Sequence, residues 1–193
     1  MNTKMKIIIS IAIFVVAFVG VLLLYNNLSS NFEPDNLADT TSQSTDAKND
    51  NNKNDENVDY SAPDFVVENE NGSEVTLSGF FGKPIVLNMW ASWCSPCKQE
   101  MPFFEEAYKE NEDIQFMMVN MTSGDSKGDA KKLIEEQGYT FPVFYDTDGM
   151  AASVYGASSL PMTIFIDENG DLVTYAVGAL NKEQLQQGID MIK

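Results

Sequence analysis

Residues 84–90, PIVLNMW, offer almost nothing polar to either side of an extended segment, and this constrains the chain more than any other feature. A strand with one wet face alternates apolar and polar residues, whereas a near-continuous apolar run is what a strand buried on both faces needs. The neighbouring segments supply the covering layers. Residues 64–68 (DFVVE) and 74–77 (EVTL) alternate and flank Asn71-Gly72, which predicts a hairpin. A helical pattern follows the central run over residues 95–110, then a second apolar run at 114–121 (IQFMMVNM), a Gly/Asp/Ser loop and a short amphipathic helix at 129–137. Next come FPVFY (141–145), an Asp-Thr-Asp-Gly turn and an Ala-rich helix ending at Tyr155. MTIFID (162–167), the turn 168–170 and LVTYAV (172–177) read as a second hairpin, and the spacing of Asn181 and Gln184 fits the cap of a last helix. Strands interleaved with single helices and closed by a hairpin plus helix predict an α/β protein, a three-layer sandwich around a mixed central sheet.

That pattern begins only near Ala62. Before it, residues 7–25 are apolar but for Ser10 and carry no charge, about the ~20 residues needed to cross a hydrocarbon core. A secretory signal is the alternative reading, but its apolar region usually runs about 7–15 residues and ends at a small-residue cleavage site. Lys4 and Lys6 precede the run and the next lysine is Lys48, so residues 1–6 are expected in the cytoplasm and everything beyond residue 25 outside the membrane. Residues 26–59 hold eight acidic residues, two lysines and little to bury, which predicts a disordered acidic tether. The remainder, 60–193, is long enough at about 130 residues for one domain with its own core.

Charge and missing residue types close several function classes. With 12 lysines against 29 acidic residues the net charge is -17, and there is no arginine, so nucleic acid is not an expected partner. The absence of histidine removes Ser-His-Asp and Cys-His nucleophile pairs and His-ligated zinc. Two cysteines cannot build a multi-bridge scaffold; whatever they do, they do as one pair.

That pair, Cys94-Ser95-Pro96-Cys97, stands where the apolar strand runs into a helix. The first helical turn has unpaired N–H groups and the positive end of the macrodipole, so a thiolate at Cys94 is stabilised there. Pro96 fits a turn that demands no hydrogen bond of its nitrogen. A separation of three stacks Cys97 a turn behind Cys94, within reach of a disulfide. One accessible sulfur is thus expected to attack, and a deeper one to resolve the mixed disulfide. An inert staple is the bland alternative, but so short a closed loop removes little chain entropy. Metal capture lacks third and fourth strong ligands, and Met89, Met117, Met118 and Met121 lie in buried-strand patterns that read as core packing.

Residues 90–102 (WASWCSPCKQEMP), 158–163 (SSLPMT) and the hairpin opening at 62–90 resemble the TlpA/ResA-like branch of the thioredoxin superfamily. The resemblance runs from about Ala62 to the C-terminus and implies a thioredoxin-like fold with an N-terminal β-hairpin. It implies a membrane-tethered or exported bacterial protein that, as most members do, reduces disulfides outside the cytoplasm, several members serving cytochrome c maturation; a monomer is expected. Its partners would be exported protein disulfides and a membrane-embedded thiol electron donor, and the redox-active disulfide would serve in place of any cofactor. Pro161 matches the family's cis-proline, facing the disulfide, with Leu160 pairing to a substrate chain; Trp93 and Pro96 complete the expected substrate groove. Pro102 matches a helix kink. Glu100, on the face of Cys97 and near Phe103 and Phe104, matches an acid suited to exchange a proton with the resolving thiol. Two departures stand out: Asn88 occupies the place where thioredoxins carry a buried Asp, and Ser95-Pro96 replaces Glu-Pro between the cysteines, which leaves the reduction potential open. A disulfide-forming oxidant and a Cu(I)-binding chaperone remain as alternatives, while a peroxiredoxin-type peroxidase would need an arginine.

Overall fold

The computed structural model describes the backbone of residues 37–39 and all of residues 60–193. The strands are β1 (Leu37–Asp39), β2 (Val66–Glu68), β3 (Glu74–Thr76), β4 (Ile85–Trp90), β5 (Gln115–Asn120), β6 (Val143–Tyr145), β7 (Met162–Ile166) and β8 (Leu172–Val177). The helices are α1 (Ser95–Glu110), α2 (Lys127–Gln137), α3 (Met150–Tyr155) and α4 (Lys182–Met191). One mixed sheet takes the order β1-β8-β7-β4-β5-β6-β2-β3. β4, β5 and β6 run parallel, and β7 and β8 are antiparallel additions on the other side of β4.

β4 is buried at every position, as its composition demands. Its alternate side chains feed two cores. Val86 and Trp90 face the cluster that holds Cys97, Met101 and Phe104 of α1 and Leu185 and Ile189 of α4. Ile85, Leu87 and Met89 face the cluster closed by Leu77 and by Ala151 of α3. Met117, Met118 and Met121 are buried beside them, so the methionines fill core space.

Local chemistry ends the elements where the sequence signals it. Asn69 Oδ1 accepts from the backbone N–H groups of Asn71 and Ser73, and Gly72 supplies the positive φ that closes the β2–β3 hairpin. Asn181 and Gln184 form the reciprocal capping box at the start of α4. Asp146 accepts from the N–H groups of Ala151 and Ala152, satisfying the first turn of α3.

β1 is a feature that composition did not signal. It lies within the 26–59 stretch and pairs antiparallel with β8, Leu37 opposite Ala176 and Asp39 opposite Thr174. An edge strand offers unpaired backbone groups to any extended segment, so this pairing needs no hydrophobic pattern of its own. The expected anchor at 7–25, the expected cytoplasmic residues 1–6 and the remainder of the 26–59 stretch lie outside the described residues. Among the described residues no helix is long and apolar enough to cross a membrane.

Candidate active site

Strand register builds the site. β4 and β7 run antiparallel with Met89 opposite Met162, so the segment leaving β4 and the segment entering β7 meet at one end of the sheet. The first carries Trp93 and Cys94 into α1; the second is Leu160-Pro161, joined by a cis peptide bond as the resemblance implied. Leu160 packs, half-buried, against the cluster containing both cysteines, and Pro161 is buried.

Cys94 and Cys97 are bonded, with an S–S distance of 2.00 Å and Cα atoms 5.3 Å apart. Cys94 is the N-cap of α1, and its Sγ accepts the Cys97 backbone N–H at 3.2 Å. The helix mouth therefore already donates to the sulfur that the sequence assigns as nucleophile. Exposure is asymmetric but small: Cys94 keeps 4% of its surface and Cys97 none. The opening is narrower than the accessible thiol expected from sequence, because the capping sulfur is tucked under the first turn and bonded to a buried partner. Around it Ser95 and Pro96 are exposed, and Trp93 is 63% exposed.

Glu100 lies one turn beyond Cys97 and keeps only 1% of its surface. Burial, partly offset by hydrogen bonds from the Leu180 backbone N–H and the Asn88 side chain, pushes its carboxyl up to about 7. Leu180 N–H donates to Oε2 at 2.8 Å, and Asn88 Nδ2 donates to Oε1 at 2.9 Å. No charged side chain contributes to that rise. An acid poised near neutrality one helical turn from a buried cysteine has the chemistry to give and take a proton. Trp90 is core, and Pro102 lies inside α1.

Asp125 was not singled out by sequence, yet it holds the nucleophile loop in place. Its carboxylate accepts from the Ser92 backbone N–H at 2.5 Å, the Ser92 hydroxyl at 2.6 Å and Asn120 Nδ2 at 2.8 Å. Burial raises its carboxyl, but those bonds and the Ser126 N–H outweigh it and hold the group below the usual range. The neighbouring Gly124 carbonyl accepts from Trp93 Nε1 at 3.0 Å, so the exposed indole is fixed in direction.

Comparison with known proteins decides the family. Residues 58–175 match the model of the AhpC/TSA family. The thiol-disulfide oxidoreductase ResA of Geobacillus thermodenitrificans is 36% identical over 138 residues, 70% of this chain and 78% of that one. The chain belongs to the ResA-like thiol–disulfide oxidoreductases. Solved relatives agree. A putative thiol:disulfide interchange protein DsbE from Chlorobium tepidum superposes with a TM-score of 0.61 at 32% identity, covering 67% of this chain and 92% of that one. The pneumococcal exposed lipoprotein thioredoxin Etrx1 of Streptococcus pneumoniae gives 0.59 at 32% identity, covering 66% and 98%. As a ResA-like protein of thioredoxin-like fold, the chain is a thiol–disulfide oxidoreductase, with the Cys94–Cys97 disulfide, Glu100, Leu160 and Pro161 gathered at one end of its sheet.

Proposed function

We propose that this oxidoreductase is anchored in the membrane by residues 7–25, displays residues 60–193 outside the cytoplasm and reduces disulfides in exported proteins, those of cytochrome c maturation among them. Support for the location is the lysine-led apolar run, the lack of any lysine between Lys6 and Lys48 and the similarity to Etrx1, an exposed lipoprotein. The observation that carries the chemistry is the asymmetry of the pair: Cys94 alone keeps any surface, while fully buried Cys97 lies a turn from the equally buried Glu100.

In the reduced enzyme the thiolate of Cys94, stabilised by the helix mouth and the Cys97 N–H, attacks one sulfur of the substrate disulfide. The S–S bond breaks, one substrate thiolate leaves, and a mixed disulfide forms. Glu100 as carboxylate accepts the Cys97 proton, and Cys97 sulfur attacks Cys94. The second substrate sulfur leaves and takes the proton, and the Cys94–Cys97 disulfide is restored. Two electrons pass from the pair to the substrate, and a membrane-embedded thiol donor returns them. No cofactor enters these steps. Trp93, Pro96, Leu160 and Pro161 border the opening and are the residues assigned to grip the substrate chain.

The full-length protein, reduced beforehand, is expected to reduce a protein disulfide substrate, Cys94→Ser to lose turnover, and Cys97→Ser to accumulate a mixed disulfide. Turnover retained by Cys94→Ser would refute the assigned nucleophile. The equilibrium potential of the pair is the companion measurement. A value near thioredoxin's roughly -270 mV supports the reductant, and one near the roughly -120 mV of DsbA reverses the direction of transfer.

A further inference from the structure

Asn88 lies fully buried on β4 and spends both of its side-chain N–H bonds while leaving its oxygen idle. Nδ2 donates to Glu100 Oε1 at 2.9 Å and to Thr163 Oγ1 at 3.0 Å. Oδ1 has no hydrogen-bond partner among the described residues. A buried acceptor left unpaired costs about 1–3 kcal/mol, and in a native core it calls for a reason.

Protonation of Glu100 supplies one. With Glu100 ionised, both carboxylate oxygens are acceptors, and the observed amide orientation serves them: Leu180 N–H on Oε2 and Asn88 Nδ2 on Oε1. With a proton on Oε1 the same orientation would set an N–H against an O–H. Turning the amide by half a revolution about its last side-chain bond puts Oδ1 where Nδ2 stands. It then accepts from the Glu100 O–H and from the Thr163 O–H. Two hydrogen bonds to Glu100 and Thr163 are made in either orientation, since an amide carries donor and acceptor on one planar group and a hydroxyl can reverse, and in either orientation it is the outer end of the amide that goes unpaired. Aspartate here would need a proton of its own, and an apolar residue could serve neither state.

We propose that Asn88 is a proton-linked positioning residue whose side-chain amide turns over each time Glu100 gains or loses its proton, with the Thr163 hydroxyl reversing alongside it. This rests on Glu100 being the proton carrier of the proposed reaction, and explains how a carboxyl inside an apolar cluster exchanges a proton without setting a donor against a donor. Thr163 stands two residues from Pro161, so the reversal also reaches the strand that leads into the substrate loop. The groups facing Glu100 are Cys97 from α1, Asn88 from β4 with Thr163 of β7 behind it, and the Leu180 amide from the loop before α4. Among these only Cys97 titrates, and in the oxidised protein it does not.

Oxidised full-length protein, labelled with ¹⁵N in asparagine and ¹³C in the glutamate carboxyls, is the sample for the test. Between about pH 4 and 9, the Asn88 side-chain amide resonances are expected to move with the same midpoint as the Glu100 carboxyl, and to stay fixed in Glu100→Gln. Asn88 resonances that never move, or that move equally in Glu100→Gln, overturn the proposal. In a second arm Asn88→Leu, which removes the donor to the carboxylate, is expected to raise the Glu100 midpoint by about one unit, lowering its ratio of ionised to protonated carboxyl about tenfold at a given pH. An unmoved midpoint also overturns it. The pH profile of substrate reduction separates this proposal from the one beneath it. If Asn88 tracks Glu100 while Glu100→Gln leaves the rate profile unchanged, the turning amide stands and the proton-carrier role falls. If the profile shifts while Asn88 is silent, the reverse holds.

Discussion

The proton-transfer role proposed for Glu100 comes with a cost in stability. Its carboxyl sits near 4.5 in an open chain and about 7 in the folded protein, mainly because burial penalises the charged form. Between those values this group binds more protons in the folded state than in the unfolded one, so its contribution to stability is greatest below about pH 4.5, declines as pH rises, and levels off above about 7. The full decline is about 3 kcal/mol. Urea unfolding of the oxidised protein should show it, and Glu100→Gln should remove that slope; a variant with the wild-type slope would place the titration elsewhere. Asp125 acts with the opposite sign, its lowered carboxyl contributing stability that is lost as pH falls through its folded value, below the Glu100 window. Of these residues Glu100 was legible through the family resemblance, with its spacing from Cys97 placing it on the same helical face. Asn88 was legible only as a missing acid. Asp125 was not legible at all, because its bonds to Ser92 span 33 residues and no local pattern encodes them.

Elements whose shape follows from local chemistry matched their sequence signals closely. α1 occupies Ser95–Glu110 and β8 Leu172–Val177, the spans that periodicity and turn residues marked. β1 escaped because the partner edge, rather than its own side chains, makes it a strand. Packing between elements escaped too, and Gly188 of α4 shows why. Read alone, a glycine inside a helix is an opportunity, since alanine there normally gains about 0.5–1 kcal/mol. In the fold, a Cβ at Gly188 would lie 2.2 Å from the ring of Phe165 on β7, so the helix can approach the sheet only without one. Overpacking of this kind costs about 1–3 kcal/mol and outweighs the propensity gain. Gly188→Ala is therefore expected to lower the denaturation midpoint. Gly128→Ala in α2, whose Cβ would meet only Ser126 Oγ at 3.5 Å, should leave it equal or slightly higher. Equal gains at both sites would show that α4 can shift away from the sheet freely.

At the scale of the whole molecule, what matters is which part of the chain carries the fold. Among the described residues both buried clusters draw their members from between Ala62 and Ile192, one on each face of the sheet, and the disulfide, Glu100 and the Leu160-Pro161 bond lie inside the same span. β1 contributes three residues at an edge, paired through backbone to β8. Removing residues 1–59 deletes none of these described members and uncovers one short strand edge. The fragment 60–193 is therefore expected to unfold in a single cooperative step with stability within about 1 kcal/mol of the full chain. It should also reduce a soluble protein disulfide at a similar rate, because every group in the proposed steps remains. Membrane attachment would then matter for meeting the electron donor, so the fragment should work with a soluble chemical reductant and fail to be recharged by membranes that recharge the full chain. A fragment that melts without cooperativity, or loses turnover while staying folded, would show that the preceding segment does more than hold the domain in place.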